Sequence, residues 1–375
     1  MVALVISLIW RQIGGGGSEA ARLFRLEGLL WVPVLVISQQ ALSLRLRTFP
    51  AILFLRLLVS RLARFHALRQ ARPQTLPPAL AWAAQRYSTI LASDGSTLDV
   101  LLRKVGLLRE ADRAPLAGKM LTLLNVITLL PTAIWFEAQA TAHDQRFWPQ
   151  LVTALPAGAL LLLDAGFTCF KRLAQLSAFD PQVTFIIPAK SNLVYEVKRC
   201  FYKTPQVHDY LVWVGTGSDR QLLRLVKLFY QGQWYTYLTN ELDPHRLPAP
   251  YVAALYEHRW RIEEAFNLVK RLLGLSYFWT GAQNGVELQV WATWIVYTVL
   301  LDLTEAVAQA LHQPLRAISV EMVYRGLYHF GQAYRRGEAD DPIVYLVRHA
   351  KLLGILKRDP PSSTHWFNLT TLPEP

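Results

Sequence analysis

Cysteine is nearly absent, with only Cys169 and Cys200 among 375 residues. Two cysteines cannot build a four-cysteine zinc site, and these two form no CxxC pair. So sparse a set points by default to a reducing compartment. No stretch reaches the roughly 18 clean apolar residues of a membrane span. The richest run, 151–163, is broken by Thr153, Pro156 and Gly158. The opening residues, MVALVISLIWRQIGGGGS, lack a cationic leader and a small-residue cleavage site, so no signal peptide is read. The abrupt start reads as an incomplete N-terminus. There is no internal repeat, and GGGG at 14–17 is the one low-complexity tract. The expectation is a cytoplasmic protein with no membrane partner.

What is there is apolar and basic. A hydrophobic content of 52% excludes wholesale disorder, and the length suffices for two or three cored domains. Lys and Arg number 39 against 27 Asp and Glu, a net charge of +12. That excess suits a polyanion, nucleic acid first and an anionic membrane surface second. The 12 Trp, 15 Tyr and 16 Phe are mostly core material, although aromatics beside basic residues also stack on unpaired bases.

Five regions follow from the patterning. Residues 1–80 read as helical: Ser18 caps a helix to about Glu27, Ser38 is followed by a short segment with Arg45 and Arg47 near its end, and Pro50 opens a run to about Arg72. Short helices with arginines near turns resemble a helix-turn-helix, so this region is expected to contact DNA. After the linker RPQTLPP, residues 81–181 hold a strand running into an Asp94-Gly95 turn, strand-like material over 119–136, and a helix over 144–155. The apolar run GALLLLDAGF then ends on Asp164, as a buried strand does when it delivers a carboxylate to a sheet edge. Residues 182–245 are short strands and read as a β-rich insertion. Residues 246–335 are helical, and 336–375 read as a loosely held tail.

The segment YEHRWRIEEAFNLVK, residues 256–270, contains neither Gly nor Pro. On a continuous helix at ~100° per residue, with Tyr256 at zero, Arg259 falls near ~−60°, Glu263 near ~−20° and Lys270 near ~−40°. Leu255, Ile262, Ala265, Phe266, Val269, Leu272 and Leu273 gather on a separate face. Such a helix docks on a core and aims a hydroxyl, two cations and a carboxylate into a cleft. Trp260 lies near ~+40° and reads as packing support. Glu264 points about 100° away, and His258 and His143 read as structural.

Three carboxylates stand out by context: Asp94 after the first strand, Asp164 at the end of a buried strand, and Glu263 on the helix. Two divalent ions ~3.5–4 Å apart need several carboxylates converging on one point. A hard ion such as Mg²⁺ accepts a few of them and completes its shell with water and phosphate. Arg259 and Lys270 suit phosphate nearby, one as a planar fork and one as a point charge. Asp99 is a weaker metal candidate.

The spacing Tyr256-x2-Arg259-x3-Glu263-x6-Lys270 resembles the Tyr-Arg-Glu-Lys signature of DDE transposases from bacterial insertion sequences, the insertion-sequence-four-like group. Asp94 in SDGSTL and Asp164 in LLLLDAGF resemble that group's first and second aspartate boxes, and YLTNEL is similar to its lead-in to the helix. The resemblance covers roughly 85–330, with only loose likeness in SLIWRQIGG and SQQALSLRLR. It implies an α/β fold: an RNase H-like mixed sheet with flanking helices and a β-rich insertion before the glutamate. It implies Asp94, Asp164 and Glu263 as catalytic, metal-holding residues for two Mg²⁺ ions, with Mn²⁺ able to substitute. It implies Tyr256 and Arg259 on the transposon-end phosphate, Lys270 on the terminal strand, and a base-stacking aromatic for which Tyr237 is the candidate. The partners implied are double-stranded DNA with terminal inverted repeats, target DNA and a second copy of the chain, in the nucleoid. The reaction implied is cut-and-paste: water frees a 3′-OH, a hairpin forms and opens in relatives, and the 3′-OH joins target DNA. A non-catalytic DNA-binding copy and a nuclease that does not join stay open as alternatives.

Overall fold

The computed structural model describes residues 2–11, 16–27, 34–72, 76–98, 118–139, 142–179, 182–276, 278–280 and 282–358. Asp99, Pro360 and Pro361 lie outside the described residues.

One nine-stranded sheet runs through the molecule. Its first five strands are β1 (Ile90–Thr97), β2 (Lys119–Asn125), β3 (Pro131–Glu137), β4 (Leu160–Leu163) and β5 (Thr184–Pro188). They lie in the order β3-β2-β1-β4-β5. β3, β2 and β1 pair antiparallel, whereas β1, β4 and β5 run parallel. This order and these directions are those of an RNase H-like sheet, the fold class expected. β4 is buried at every position because helices cover both faces, and its Leu160 and Leu162 serve one core while Leu161 and Leu163 serve the other.

Asp94-Gly95 is not a turn. Both residues sit inside β1, paired with Thr122 and Leu121 of β2. The Asp-Gly dipeptide reads as a turn when only local propensity is weighed, and the long-range ladder overrides it.

The strand-rich region belongs to the same sheet. β6 (Tyr195–Lys203), β7 (Val207–Val214), β8 (Gln221–Tyr230) and β9 (Gln233–Thr239) form an antiparallel meander that returns until β9 pairs with β5. The insertion therefore starts beyond Pro188 rather than at 182, since Thr184–Pro188 is the fifth core strand. Arg224 of β8 and Asp209 of β7 are fully buried and meet in a fork, Nη2–Oδ2 2.6 Å and Nε–Oδ1 2.8 Å. Arg224 also donates to the carbonyl of Leu247, just before α8 (Ala249–Glu257). The insertion is thus pinned to the chain that enters the next helix.

Helices α1 (Val2–Trp10), α2 (Gly16–Leu26), α3 (Gln39–Thr48) and α4 (Ala51–Ala71) build the N-terminal region, with Ser38 capping α3 through its hydroxyl on Ala41 N. α5 (Pro78–Ala84) leads into β1, and α6 (Trp148–Ala154) and α7 (Phe170–Ser177) cover one face. Beyond α9 (Trp260–Asn267), α10 (Gln283–Ala310) is the central helix, against which α1, α3 and α4 pack. Asn284 in its first turn takes the carbonyls of Arg47 and Phe49 and receives Ala51 N, so it orders the α3–α4 corner. Length and a mean hydropathy of 1.3 would let α10 cross a membrane, but 67% of that window is buried in the fold.

The tail is held further than expected. α11 (Val320–Arg335) is followed by α12 (Pro342–Arg348), capped by Asp341, and Ile318 bridges Leu356. Leu346, Ala350 and Ile355 are buried, so 342–356 belongs to the core.

Breaking a buried pair from one side strands the other charge. Arg224→Met is therefore expected to lower unfolding free energy by about 3–5 kcal/mol, read from urea denaturation. A loss below about 1 kcal/mol would mean the fork does not anchor the insertion.

Candidate active site

Three elements meet at the C-terminal edge of the parallel strands. β1 supplies Asp94, the residue after β4 supplies Asp164, and α9 supplies Glu263. Parallel pairing of Ser93 with Leu163 places the two aspartates side by side, one step beyond the last rung of that ladder. Asp164 Oδ2 accepts from Gly166 N at 3.0 Å and Asp94 Oδ1 from Gly95 N at 2.8 Å, so a backbone amide holds one oxygen of each aspartate.

Arg259 sits among all three. Its Nη1 is 3.0 Å from Asp94 Oδ2, its Nη2 is 2.7 Å from Glu263 Oε1, and the same Nη2 is 4.0 Å from Asp164 Oδ1. Three carboxylates against one guanidinium leave a formal charge of −2. Burial pushes the Asp94 carboxyl up to about 6; Arg259 opposes this, while Asp164 and Glu263 reinforce it. Burial likewise holds the Tyr256 hydroxyl well above its usual range, so it stays protonated as a donor. The Arg259 guanidinium lies 5.8 Å from the Tyr256 ring.

Lys270 reaches β1 on the same face as Asp94, with Nζ 2.8 Å from Ser96 Oγ. Burial and Arg271 hold its ammonium below the usual lysine range, against the pull of Asp94. The signature residues Tyr256, Arg259, Glu263 and Lys270 are thus brought together with both aspartates.

They do not lie on one continuous helix. α8 ends at Glu257, and bonds of the i→i+3 kind run His258→Leu255, Arg259→Tyr256, Arg261→His258 and Ile262→Arg259. α9 then opens into a π-turn over Leu268–Leu272, closed by Leu273 N on Leu268 O. The tight segment overwinds the chain and the π-turn underwinds it, so no Gly or Pro is needed to re-aim the stripe. The seven apolar positions of this segment are all buried nonetheless.

Tyr237 is 8% exposed, with its ring 5.1 Å from that of Tyr256. In this arrangement it backs Tyr256, tilted 51° to its ring. Trp260 is 59% exposed, so it is not the packing support that its angle suggested; the tight turn before it swings it outward. It rims a cleft of about 1070 Å³ that Tyr256, Tyr237 and Glu264 also line but none of the three carboxylates does. His143 accepts from Gln145 N and caps the 3₁₀ turn Asp144–Phe147, a structural role as expected.

Sequence reasoning missed Lys119 and Asp144. They form an ion pair of 2.5 Å beside Gly95. The one local signal was an Asp directly after His143 at the start of a helical turn.

The donor chemistry of the site suits hard divalent cations, because three carboxylates offer oxygen alone. As they stand, no three His, Cys, Asp or Glu side chains among the described residues are spaced to hold one ion. Arg259 stands among them, engaging Asp94 Oδ2 and Glu263 Oε1.

An RNase H-like sheet thus brings together carboxylates from β1, from just after β4 and from a following helix. Comparison with known proteins adds to this. Residues 115–299 match the family described as the transposase DDE domain. That stretch includes Asp164 and the whole signature but not Asp94. The protein y4zB of Sinorhizobium fredii, assigned by its name as a transposase, is 30% identical over 161 residues, 39% of this chain and 43% of that protein. The transposase InsG of insertion sequence element IS4 in Escherichia coli is 24% identical over 193 residues, 48% of this chain and 43% of InsG. The matched stretch thus spans under half the length of each of these curated relatives. A piggyBac transposase synaptic complex with hairpin DNA aligns over 97% of this chain and 87% of its own at 12% identity and a TM-score of 0.43, a likeness too slight to support more. Residues 115–299, just under half of the chain, thus resemble a transposase DDE domain.

Asp94 also sets a pH dependence. Its folded-state value, about 6, stands above the unfolded 3.8. It therefore adds stability that is full below the unfolded value and is lost as pH rises through the folded one. With chelator present, the melting temperature of the native protein should fall relative to that of Asp94→Asn between pH 4 and 7. Parallel melting curves across that range would mean Asp94 is not desolvated.

Proposed function

We propose that this chain is the transposase of an insertion sequence, cleaving the ends of its element and joining the freed 3′-OH to target DNA. The observation that carries the proposal is the convergence of Asp94, Asp164 and Glu263 on the single guanidinium of Arg259, all within 4.0 Å. Supporting it are the transposase DDE domain match and the net charge of +12.

Asp94, Asp164 and Glu263 would hold two divalent ions, Mg²⁺ first with Mn²⁺ as a substitute. When bound, such ions activate water or a 3′-hydroxyl and stabilise the leaving oxygen of an in-line displacement at phosphorus. The chain's own residues do the rest. Arg259 would exchange its carboxylate partners for a phosphate of the transposon end, which its fork engages through two parallel bonds. Tyr256, kept protonated by burial, would donate to the same phosphate. Lys270 would steady the terminal strand from its place over β1. A stacked, flipped base at Tyr237 requires that buried ring to be uncovered first.

The N-terminal helices, with Arg45, Arg47, Arg56, Arg61 and Arg64 exposed, would bind the terminal inverted repeats. Two ends must meet, so the active complex is a homodimer on DNA, working in the nucleoid.

The test is end cleavage and strand transfer with Mg²⁺ or Mn²⁺ on DNA carrying the element's own inverted repeats. Glu263→Ala should reduce cleavage on the order of 10³-fold or more, the scale of losing a principal electrostatic group, while end binding survives. Undiminished cleavage by that variant would end the proposal. A pre-cut end that is never joined would leave a nuclease, and end binding without cleavage would leave a DNA-binding copy.

A further inference from the structure

We propose that the Lys119–Asp144 ion pair is a positioning device that sets the spacing of Asp94 and Asp164 from the opposite face of the sheet. The inference rests on the reading of these aspartates as ligands of divalent cations. The β1–β4 ladder ends at Ser93 and Leu163. Beyond it β1 continues along β2, while the chain after β4 turns into the 3₁₀ segment Ala165–Phe167. The two aspartates thus part company where their relative position matters most.

Asp144 bridges the gap. Gly95 faces away from Asp94, and a β-carbon there would fall inside the Asp144 carboxylate and within 3.1 Å of Lys119 Cε. Lys119 Nζ holds Asp144 Oδ1 at 2.5 Å, with only 13% and 21% of the two side chains exposed. The other oxygen faces the second loop: a β-carbon on Gly166 would lie 3.8 Å from Asp144 Oδ2 and 3.4 Å from Asp164 Oδ2. Gln145 Nε2 donates to Gly166 O at 3.3 Å, and Arg172 of α7 donates to Gln145 O. One carboxylate therefore abuts the residue after Asp94 and faces the loop that carries Asp164. Glycine at position 95 lets it approach, whereas a β-carbon on Gly166 would meet it only in ordinary contact. Lys119 keeps the pair neutral, so the device adds no charge of its own behind the carboxylates.

Partners that orient metal ligands typically govern affinity by about 10–100-fold. Mn²⁺ binding to the full-length protein by titration calorimetry gives the readout, with melting temperature recorded alongside. The native protein should bind Mn²⁺, and Glu263→Ala should lose that binding; absence of binding in the native protein refutes the metal site itself. Asp144→Asn should weaken Mn²⁺ binding about tenfold or more with little change in melting temperature, and the single variant Lys119→Arg, which keeps the pair, should retain most of the native affinity. Native-like affinity in a folded Asp144→Asn protein overturns the positioning role while leaving the metal site intact. Should Asp144→Asn not fold, Lys119→Gln replaces it, with the same expected weakening. Failure of both to fold makes the pair a stabiliser of the sheet and overturns the proposal equally.

Discussion

Like charges held together need a cation between them, and Arg259 supplies it. Unit charges about 4 Å apart repel by about 4 kcal/mol at an effective dielectric constant near 20. Asp94, Asp164 and Glu263 share one guanidinium, which is 5% exposed as a residue and belongs to the same helical segment as Glu263. The charge that keeps the carboxylates together without metal is thus four residues from one of them. One side chain therefore meets all three carboxylates at once.

The break in the helix serves this arrangement. A straight α-helix over 256–270 would bury the same apolar face and put Lys270 in line with Glu263. The π-turn instead brings Lys270 down onto Ser96, two residues beyond Asp94 on the same face of β1. The tight turn at His258 lets Arg259 head α9 while Tyr256 stays at the end of α8, backed by Tyr237. Each polar residue of the stripe therefore meets a different partner. π-turns concentrate at functional sites because they spend a regular hydrogen bond on re-aiming side chains.

Much of the fold was legible in the sequence. The strands of the core and meander follow from β-branched and aromatic runs between glycines, and Asp164 at the end of LLLL marks a buried strand by its run alone. Leu255 through Leu273 were read as one apolar face and are buried as one, since burial depends on spacing over a turn or two and tolerates a local change of winding. What was not legible depends on distant partners. Asp94-Gly95 lies in a strand because β2 pairs with it and Asp144 fills the space over Gly95, facts no local window contains. Tyr237 carries the right chemistry for stacking, but it packs beside Tyr256, from an element 19 residues on. The π-turn has no sequence punctuation at all.

The meander bears on the site for a mechanical reason. It does not hang from the core as a separate module, because β9 pairs directly with β5 and so extends the sheet whose edge holds Asp164. Its buried Arg224–Asp209 fork donates onward to Leu247, the residue before the proline that starts α8. From Leu247 the chain runs through α8 and the tight turn to Arg259 and Glu263. The third carboxylate is consequently placed by the insertion as much as by the helix that bears it. A buried ion pair is a costly way to stabilise a fold compared with apolar packing, but it has a defined direction. Here that direction fixes where α8 begins, and a shift at that point would be carried into the position of Glu263 against the two aspartates.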